Sequence, residues 1–189
     1  MAEFWTQGKL EPKRQYRWQV NLGGFGQEIA YVAKKVNKPE ITVEEASHKY
    51  LNHTYYYPGR TTWNTVTMTL VDPLDVNSSE RLGRLLYESG YRVPKDPNDV
   101  TTISKAGSNV LMGAVTIMQF KAGEGGGANN TDDIVEIWTL NNPFIKKVNF
   151  GSLDYSNEDL VDVELEIRYD FATYEDKING TAPLWKLSD

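Results

Sequence analysis

Acidic side chains alternate with apolar ones over residues 160–171, near the end of the chain. On a β-strand, residues two apart share a face and lie about 7 Å from each other, a separation that suits the two carboxyl groups of an inverting glycoside hydrolase. A solvated strand face has the same spacing without any substrate, so the pattern indicates a two-faced strand more strongly than an enzyme. The acidic face would carry Asp162, Glu164, Glu166 and Asp170, together with Arg168. The apolar face would carry Val161, Val163, Leu165, Ile167, Tyr169 and Phe171.

Other patterns with chemical meaning are weaker. His48 and His53, the only histidines, are five residues apart, which suits neither one strand face nor adjacent helical turns. The glycine-rich residues 123–130 lack the Gly-Lys-Ser/Thr ending of a phosphate-binding loop, so we expect a mobile hairpin tip. Cysteine is absent, which excludes disulfides, thiolate metal sites and thiol catalysis. We therefore predict no catalytic residue, cofactor or metal.

The chain is acidic. Lys and Arg number 20 against 26 Asp and Glu, which gives a formal net charge of −6. Affinity for a phosphate backbone comes mainly from clustered Lys and Arg, so a general nucleic-acid binder is disfavoured. Four basic residues near the N-terminus are expected to form a surface patch or to contact an acidic neighbouring subunit: Lys9, Lys13, Arg14 and Arg17. The sequence has no apolar run long enough to span a bilayer and no secretory signal, so we expect no membrane contact.

Most of the chain has the pattern of β-strands. Alternation predicts strands at 16–22 and 62–71, and Gly23–Gly26 would turn the first of them into a returning partner at 28–34. Residues 41–57 are rich in Thr, Tyr and Val but alternate poorly, so we expect an extended interaction segment that ends at Pro58-Gly59. Further strands are expected at 134–140, 144–150 and 160–171. The apolar run at 110–120 is expected to be a buried strand, although its period does not distinguish a strand from a helix.

A single helix is predicted, over about residues 78–90. Asn77 is a suitable N-cap, Glu80 follows three residues later, and Gly90 stands where a C-cap glycine belongs. An apolar stripe would pack the helix on the sheet through Leu82, Leu85 and Leu86. Residues 93–109 are expected to be irregular. The length suits one domain over 1–189, with an arm at 1–14 and a tail at 175–189 that Trp185 could anchor.

The order of these elements resembles that of the tail tube proteins of contractile-tailed bacteriophages. The resemblance is carried by the Tyr-x-Trp-x-Val strand near the start, the long extended segment, the strand 63–70, the single helix and the alternating last strand. It implies an antiparallel β-sandwich or small barrel with one flanking helix. Six copies would form a ring with a continuous β-barrel lumen, and rings would stack into a tube inside a contractile sheath.

This resemblance also implies a function. The chain would be a non-enzymatic structural subunit of the virion tail, assembled in the cytoplasm of the bacterial host, and phage DNA would pass through the bore without specific binding. Its partners would be further copies of itself, the tail sheath protein, and the baseplate and tail terminator proteins. The acidic strand face would line the lumen and repel phosphate, through Asp162, Glu164, Glu166 and Asp170. Contacts between subunits would come from the arm and from Glu44, Glu45, Tyr50, Tyr55, Tyr56 and Tyr57.

Two other functions remain open. The same fold would serve as the tube subunit of a type VI secretion system or of a phage-tail-like bacteriocin, with protein cargo or none. A carbohydrate-binding β-sandwich could instead stack sugars on the run Tyr55, Tyr56 and Tyr57.

Overall fold

The structure is a computed structural model that describes residues 12–23, 32–74, 77–96, 98, 101–121, 133–156, 158–178 and 180–185. Within these residues the chain forms eleven strands and two helices. The first elements are β1 (Trp18–Leu22), β2 (Ala33–Val36), β3 (Ile41–Tyr50), β4 (His53–Trp63), β5 (Val66–Val71) and α1 (Ser78–Glu88). They are followed by α2 (Lys105–Met112), β6 (Val115–Phe120), β7 (Ile134–Asn141), β8 (Phe144–Asn149), β9 (Asp162–Arg168), β10 (Phe171–Asp176) and β11 (Thr181–Leu184).

The described strands form three sheets. The five-stranded sheet has the order β1-β6-β7-β10-β11, and the four-stranded sheet has the order β2-β5-β9-β8. The third is the two-stranded hairpin of β3 and β4. Every pairing between these strands is antiparallel. The mainly β, antiparallel fold predicted from the sequence is therefore confirmed.

The core lies between the five-stranded and the four-stranded sheets. Alternation along β5 turns Val66, Met68 and Leu70 inward, with at most 1% of each side chain exposed. The apolar face of β9 is equally buried, as predicted, through Val163, Leu165 and Ile167. These side chains pack in one cluster with residues of the facing sheet, namely Val20, Leu22, Val115, Ile117 and Leu140. Burying each such aliphatic side chain contributes about 1.5–3 kcal/mol to stability, so this layer dominates the fold.

The predicted strand at 160–171 is shorter than expected. β9 ends at Arg168, and the chain turns at Asp170, whose amide donates to the carbonyl of Asn141. Phe171 then begins β10, which pairs with β7 in the other sheet. The prediction of a tail after this strand is wrong, because β10 and β11 are both paired strands. The side chains of β10 are mostly half-buried, so this strand lacks the clean alternation that marks β9.

Helix α1 confirms the prediction for residues 78–90. The Asn77 side chain accepts the Glu80 amide at 2.7 Å, and Gly90 follows the helix with a φ of +115°. Leu82 and Leu85 are buried. The Gly90 conformation is one that a side chain would strain, which explains why the helix ends there.

A second helix occupies a region that the sequence pattern predicted as irregular chain followed by a strand. α2 starts after Ser104, whose hydroxyl accepts the Gly107 amide at 3.0 Å, and it ends at Gly113. Strand β6 therefore begins at Val115 rather than at residue 110. The apolar run over 110–120 contains both elements, and its uniform composition carries no period that would separate them.

Two predicted hairpins involve residues outside those described. The glycine-rich tip at 123–130 is one of them, although the strands on its two sides, β6 and β7, pair as predicted. Most of the predicted returning strand at 28–34 also lies outside the described residues. Its last two residues, Ala33 and Lys34, lie in β2, and β2 pairs with β5 rather than with β1.

Pro58-Gly59 does not end the extended segment. Both residues lie inside β4, which runs on to Trp63. A bulge accommodates them, because Gly59 and Arg60 of β4 lie opposite the single residue Glu44 of β3. A Cβ at Gly59 would lie 2.9 Å from the Glu44 carbonyl oxygen, so this position needs glycine for space. The predicted strand at 62–71 is accordingly divided between the end of β4 and the whole of β5.

Two glycines allow a matched test of this fold. Gly151 has a φ of +87°, and a Cβ there would lie 2.7 Å from the Asp162 carbonyl oxygen, whereas a Cβ at Gly83 in α1 would meet nothing within 4 Å. We expect Gly151→Ala to lower the free energy of unfolding by about 1–2 kcal/mol and Gly83→Ala to raise it by about 0.5–1 kcal/mol. Urea unfolding followed by circular dichroism measures both, and equal effects of the two substitutions would contradict the structure.

Candidate assembly surfaces

The β3–β4 hairpin projects its side chains into solvent on both faces. Tyr50 is 63% exposed, Leu51 is 88% exposed and Tyr56 is 65% exposed. A lone two-stranded hairpin is at best marginally stable in water, and exposed aromatic residues are enriched at protein interfaces. The predicted extended segment is thus present, and its surface has the character of a contact surface.

The predicted contact residues are all on this hairpin, but they do not share one face. Tyr55 pairs with His48 and Tyr57 pairs with Ala46, so these two tyrosines point to one side and Tyr56 points to the other. The three tyrosines consequently offer no single aromatic platform for a sugar ring. The acidic pair Glu44 and Glu45 lies at the bulge, closer to the base of the hairpin than to its tip.

A buried carboxylate holds the base of the hairpin. Glu136 on β7 is only 3% exposed and accepts hydrogen bonds from both Lys13 and Lys38. Lys38 also donates to the Gln119 side chain at 2.7 Å, and Gln119 in turn donates to the carbonyl of Arg14 at 3.1 Å. Since Lys38 lies just before β3, one network joins the described start of the chain, the five-stranded sheet and the hairpin base.

The electrostatics of this network favour its charged form. Burial alone would raise the pKa of Glu136, but the hydrogen bonds from Lys13 and Lys38 outweigh it and hold that pKa below its usual value of 4.5. Burial alone would likewise lower the pKa of Lys13, yet its hydrogen bond to Glu136 leaves the pKa raised. The ion pair is therefore intact at neutral pH.

An aromatic cluster holds the hairpin base from the other side. The Trp185 ring lies 5.5 Å from that of Trp63, at the end of β4, and 6.2 Å from that of Trp138 on β7. Tyr174 packs on Trp138 with ring centroids 4.9 Å apart. Trp185 is thus the anchor that the sequence suggested, and both ends of the described chain reach the hairpin base.

The predicted acidic face of β9 is part of the outer face of the four-stranded sheet. Asp162 accepts a hydrogen bond from Lys34 of β2 at 2.6 Å, and Glu166 accepts one from Lys146 of β8 at 2.7 Å. Glu164, between them, makes no side-chain hydrogen bond or ion pair with the described part of the chain. Lysines from both edge strands of the sheet, β2 and β8, therefore pair with carboxylates of β9, and the face is mixed in charge.

Asp170 lies apart from these three carboxylates. It occupies the turn between β9 and β10, where it accepts hydrogen bonds from Lys105 of α2 at 2.6 Å and from Asn142 at 2.8 Å. The hydrogen bond from Lys105, followed by that from Asn142, holds the pKa of Asp170 below its usual value. Its contacts tie α2 to the turn that joins the two sheets.

Sequence reasoning missed the lysines of the outer face. They occur as adjacent pairs, Lys34-Lys35 and Lys146-Lys147, so the residues themselves are visible in the sequence. Their position beside the carboxylates of β9 follows from the strand order β2-β5-β9-β8, which the chain order does not reveal.

Glu166 of β9 is a poor candidate for the acid of a glycoside hydrolase. Such a reaction needs one carboxylic acid whose pKa is raised so that it can donate a proton. The hydrogen bond from Lys146, and after it the one from Thr65, instead lowers the pKa of Glu166. The geometry supports a charged surface rather than an acid–base pair.

The described residues lack two kinds of feature. No helix there combines the length and the apolar character that a bilayer crossing requires. Nor does any group of three or more His, Asp and Glu side chains within those residues lie close enough together to hold a metal ion.

Comparison with solved structures identifies the fold. A chain in the cryo-EM structure of an extracellular contractile injection system, the PVC sheath–tube complex in its extended state, superposes with a TM-score of 0.61 at 12% sequence identity, covering 93% of this chain and 99% of that one. A chain in the tube-terminating cap of the anti-feeding prophage gives 0.60 at 13% identity, with 93% and 99% covered. A chain in the anti-feeding prophage baseplate gives 0.56 at 13% identity, with 88% and 97% covered.

At these identities the likeness establishes the fold. No family model and no curated protein matches the sequence. The fold expected from the resemblance to tail tube proteins is confirmed, because chains from assemblies of contractile injection systems share it over nearly their whole length.

The Glu136 network makes stability depend on pH. A carboxylate whose pKa is lowered on folding stabilises the protein fully above its unfolded pKa, near 4.5, and this contribution disappears as pH falls through the lower folded pKa. We expect Glu136→Gln to lower the free energy of unfolding at pH 7 by about 1–2 kcal/mol, since hydrogen bonds from two lysines are weakened. The difference from wild type should shrink below pH 4.5 in chemical unfolding experiments.

Glu164→Gln is the matched control, because Glu164 is exposed and lacks such partners in the described structure. It should change the stability little at any pH. A Glu136→Gln effect that is as large at pH 3 as at pH 7 would show that the network is not held together by charge.

Proposed function

We propose that this chain is the tube subunit of a contractile injection system, whose copies form rings that stack into a hollow conduit. The observation that carries the proposal is the shared fold with a chain of the sheath–tube complex, which extends over 93% of this chain and 99% of that one. The role is structural and not enzymatic. The outer-face carboxylates fit this role, because lysines neutralise two of them and the pKa of Glu166 is lowered by its hydrogen bond from Lys146.

The ring would form through the edges of the four-stranded sheet. In the described structure β2 and β8 are the end strands of this sheet, so each has a row of backbone groups without a ladder partner. The four strands alternate in direction, and β8 is therefore antiparallel to β2. When β8 of one copy meets β2 of the next, the antiparallel pattern continues, and six copies related by rotation would close one barrel without edges.

In this ring the outer face of the four-stranded sheet lines the bore. Asp162, Glu164 and Glu166 are the lumen-facing carboxylates of the proposal, whereas Asp170 would lie at the rim because it occupies a turn. Since lysines accompany the carboxylates, the bore would be polar and mixed in charge rather than uniformly acidic. Such a lining gives a passing polymer no apolar surface to adhere to.

Ring stacking would use the β3–β4 hairpin. Its two faces are exposed in the single chain, and its base is fixed by Glu136 on one side and by Trp185 on the other. A hairpin with a fixed base and exposed faces suits a contact that reaches the next ring. Glu44, Glu45, Tyr50, Tyr55, Tyr56 and Tyr57 would be buried there.

The further partners are the sheath, the baseplate and a tube terminator. A contractile phage tail would use the tube to deliver DNA, and the subunit would be assembled in the bacterial cytoplasm and carried in the virion tail. An extracellular injection system related to a phage tail is the second candidate, which is favoured by the shared fold with chains of the PVC sheath–tube complex and the anti-feeding prophage baseplate. Both candidates need the same rings and differ in cargo.

Electron microscopy tests the proposal. Negative-stain images of the concentrated, purified chain should show rings with a central hole and, at higher concentration, stacks of rings. A chain that stays monomeric in sedimentation velocity at every concentration, and also when the cognate baseplate is added as a nucleus, would contradict the proposal.

Hairpin variants separate stacking from ring formation. The double variant Tyr55→Glu/Tyr57→Glu places two charges on one face of the hairpin without touching the core, so it should form single rings that do not stack. Tyr87→Glu on α1 is the matched control, since Tyr87 is 53% exposed and Tyr57 is 55% exposed. Tubes of normal length from the hairpin variant would refute the role assigned to this face.

A further inference from the structure

The two edge strands of the four-stranded sheet are both cationic. β2 has the sequence AKKV and β8 has the sequence FIKKVN, so neither strand contains a carboxylate. Two of the lysines are paired within the chain, Lys34 with Asp162 and Lys146 with Glu166. The other two, Lys35 and Lys147, make no ion pair or side-chain hydrogen bond with the described residues.

The unpaired lysines lie on the same face at opposite edges of the sheet. The strand register sets Lys35 beside Thr69 and Lys147 beside Glu166. Both lysines line one shallow groove across the outer face, together with Thr67, Thr69, Glu164 and Glu166. Two neutral residues also lie on these edges: Asn37 donates to the Thr67 hydroxyl at 2.8 Å, and Asn149 pairs with Glu164 in the ladder.

We propose that ring closure joins Lys147 of one copy and Lys35 of the next into a binding site for a phosphate-type oxyanion. The inference rests on the edge-to-edge ring of the proposed function, because neither copy contains the site alone. Joining the β8 edge to the β2 edge, in a register that sets the two lysine pairs opposite each other, brings Lys35 and Lys147 together on the lumen face at the seam between the copies. β2 and β8 contribute no carboxylate to this seam, and the carboxylate beside Lys147, Glu166 on β9, already accepts the hydrogen bond of Lys146.

The chemistry of the seam selects its ligand. Like charges on adjacent strands destabilise a sheet, so the seam resists closure until an anion lies between the two ammonium groups. A phosphate-type oxyanion carries several acceptor oxygens and can accept hydrogen bonds from both lysines at once. The bore would then have cationic seams that alternate with the acidic β9 strands, and each seam could hold a phosphate of a polymer that passes through.

Inorganic tripolyphosphate is the probe for this site. At constant low ionic strength, submillimolar tripolyphosphate should increase the fraction of chain in rings by at least about threefold over chloride alone, which corresponds to the relief of one like-charge pair across strands. Sedimentation velocity measures that fraction. The double variant Lys35→Gln/Lys147→Gln should form rings equally well with and without the probe, because its seam carries no repulsion between unpaired lysines.

Lys95→Gln, which changes an exposed lysine outside the sheet, is the matched control and should respond to tripolyphosphate as wild type does. An oligothymidylate that also promotes rings would identify the nucleic-acid backbone as a source of the phosphates. A response to tripolyphosphate alone would restrict the site to free phosphate ions.

The outcomes distinguish this inference from the proposed function. If wild type forms rings to the same extent with and without tripolyphosphate, the seam site is refuted and the tube proposal stands. If the double variant still responds as wild type does, the site lies elsewhere and the inference is equally refuted. If no condition yields rings, both the seam and the tube proposal fail.

Discussion

The packing of two antiparallel sheets through their apolar faces is the constraint on which the rest of the structure depends. β5 and β9 turn every second residue into this layer, and β1 and β6 meet them from the other sheet. Because side chains alternate along a strand, burial of one face fixes the other face in solvent. The same register that buries Val163 and Leu165 therefore exposes Glu164 beside the lysines of the edge strands. The charged outer face is thus a direct consequence of the core.

The strands and helices that pack on this core were predictable where residues close together in the sequence determine them. β1, β5 and β9 show the period of two that half-burial demands, and α1 has its cap at Asn77. Helix α2 was not predictable, because an apolar run without a period suits a buried strand as well as a helix. β10 was missed for a related reason, since a half-buried strand lacks strong alternation.

The candidate surfaces, too, were predictable only where residues close together in the sequence determine them. The carboxylates of β9 were found because they lie on one strand, while the lysines that pair with them come from residues 128 and 20 positions away in the chain. A strand order fixed only by tertiary packing brings them together. Asp170 was grouped with the other carboxylates by its spacing, but the turn at the end of β9 places it with Lys105 and Asn142.

The orientation of the β3–β4 hairpin depends on packing at its base, because neither of its own faces is buried. Glu136 binds the lysine before β3, and Trp185 packs on the tryptophan that ends β4. Both contacts start from β7, whose Glu136 and Trp138 side chains take part in them. A contact that the hairpin makes would therefore be transmitted to the five-stranded sheet. The edges of the four-stranded sheet would stay available for pairing with neighbouring copies.

The central claim is that β2 and β8 pair with each other between copies of the chain. Backbone hydrogen exchange followed by mass spectrometry, on the monomer and on the assembled protein, tests it most directly. The account predicts that amides of β2 and β8 exchange readily in the monomer and become protected on assembly, whereas those of β5 and β9, which are already paired on both sides, change little. An assembly in which β2 and β8 exchange as fast as in the monomer would contradict it.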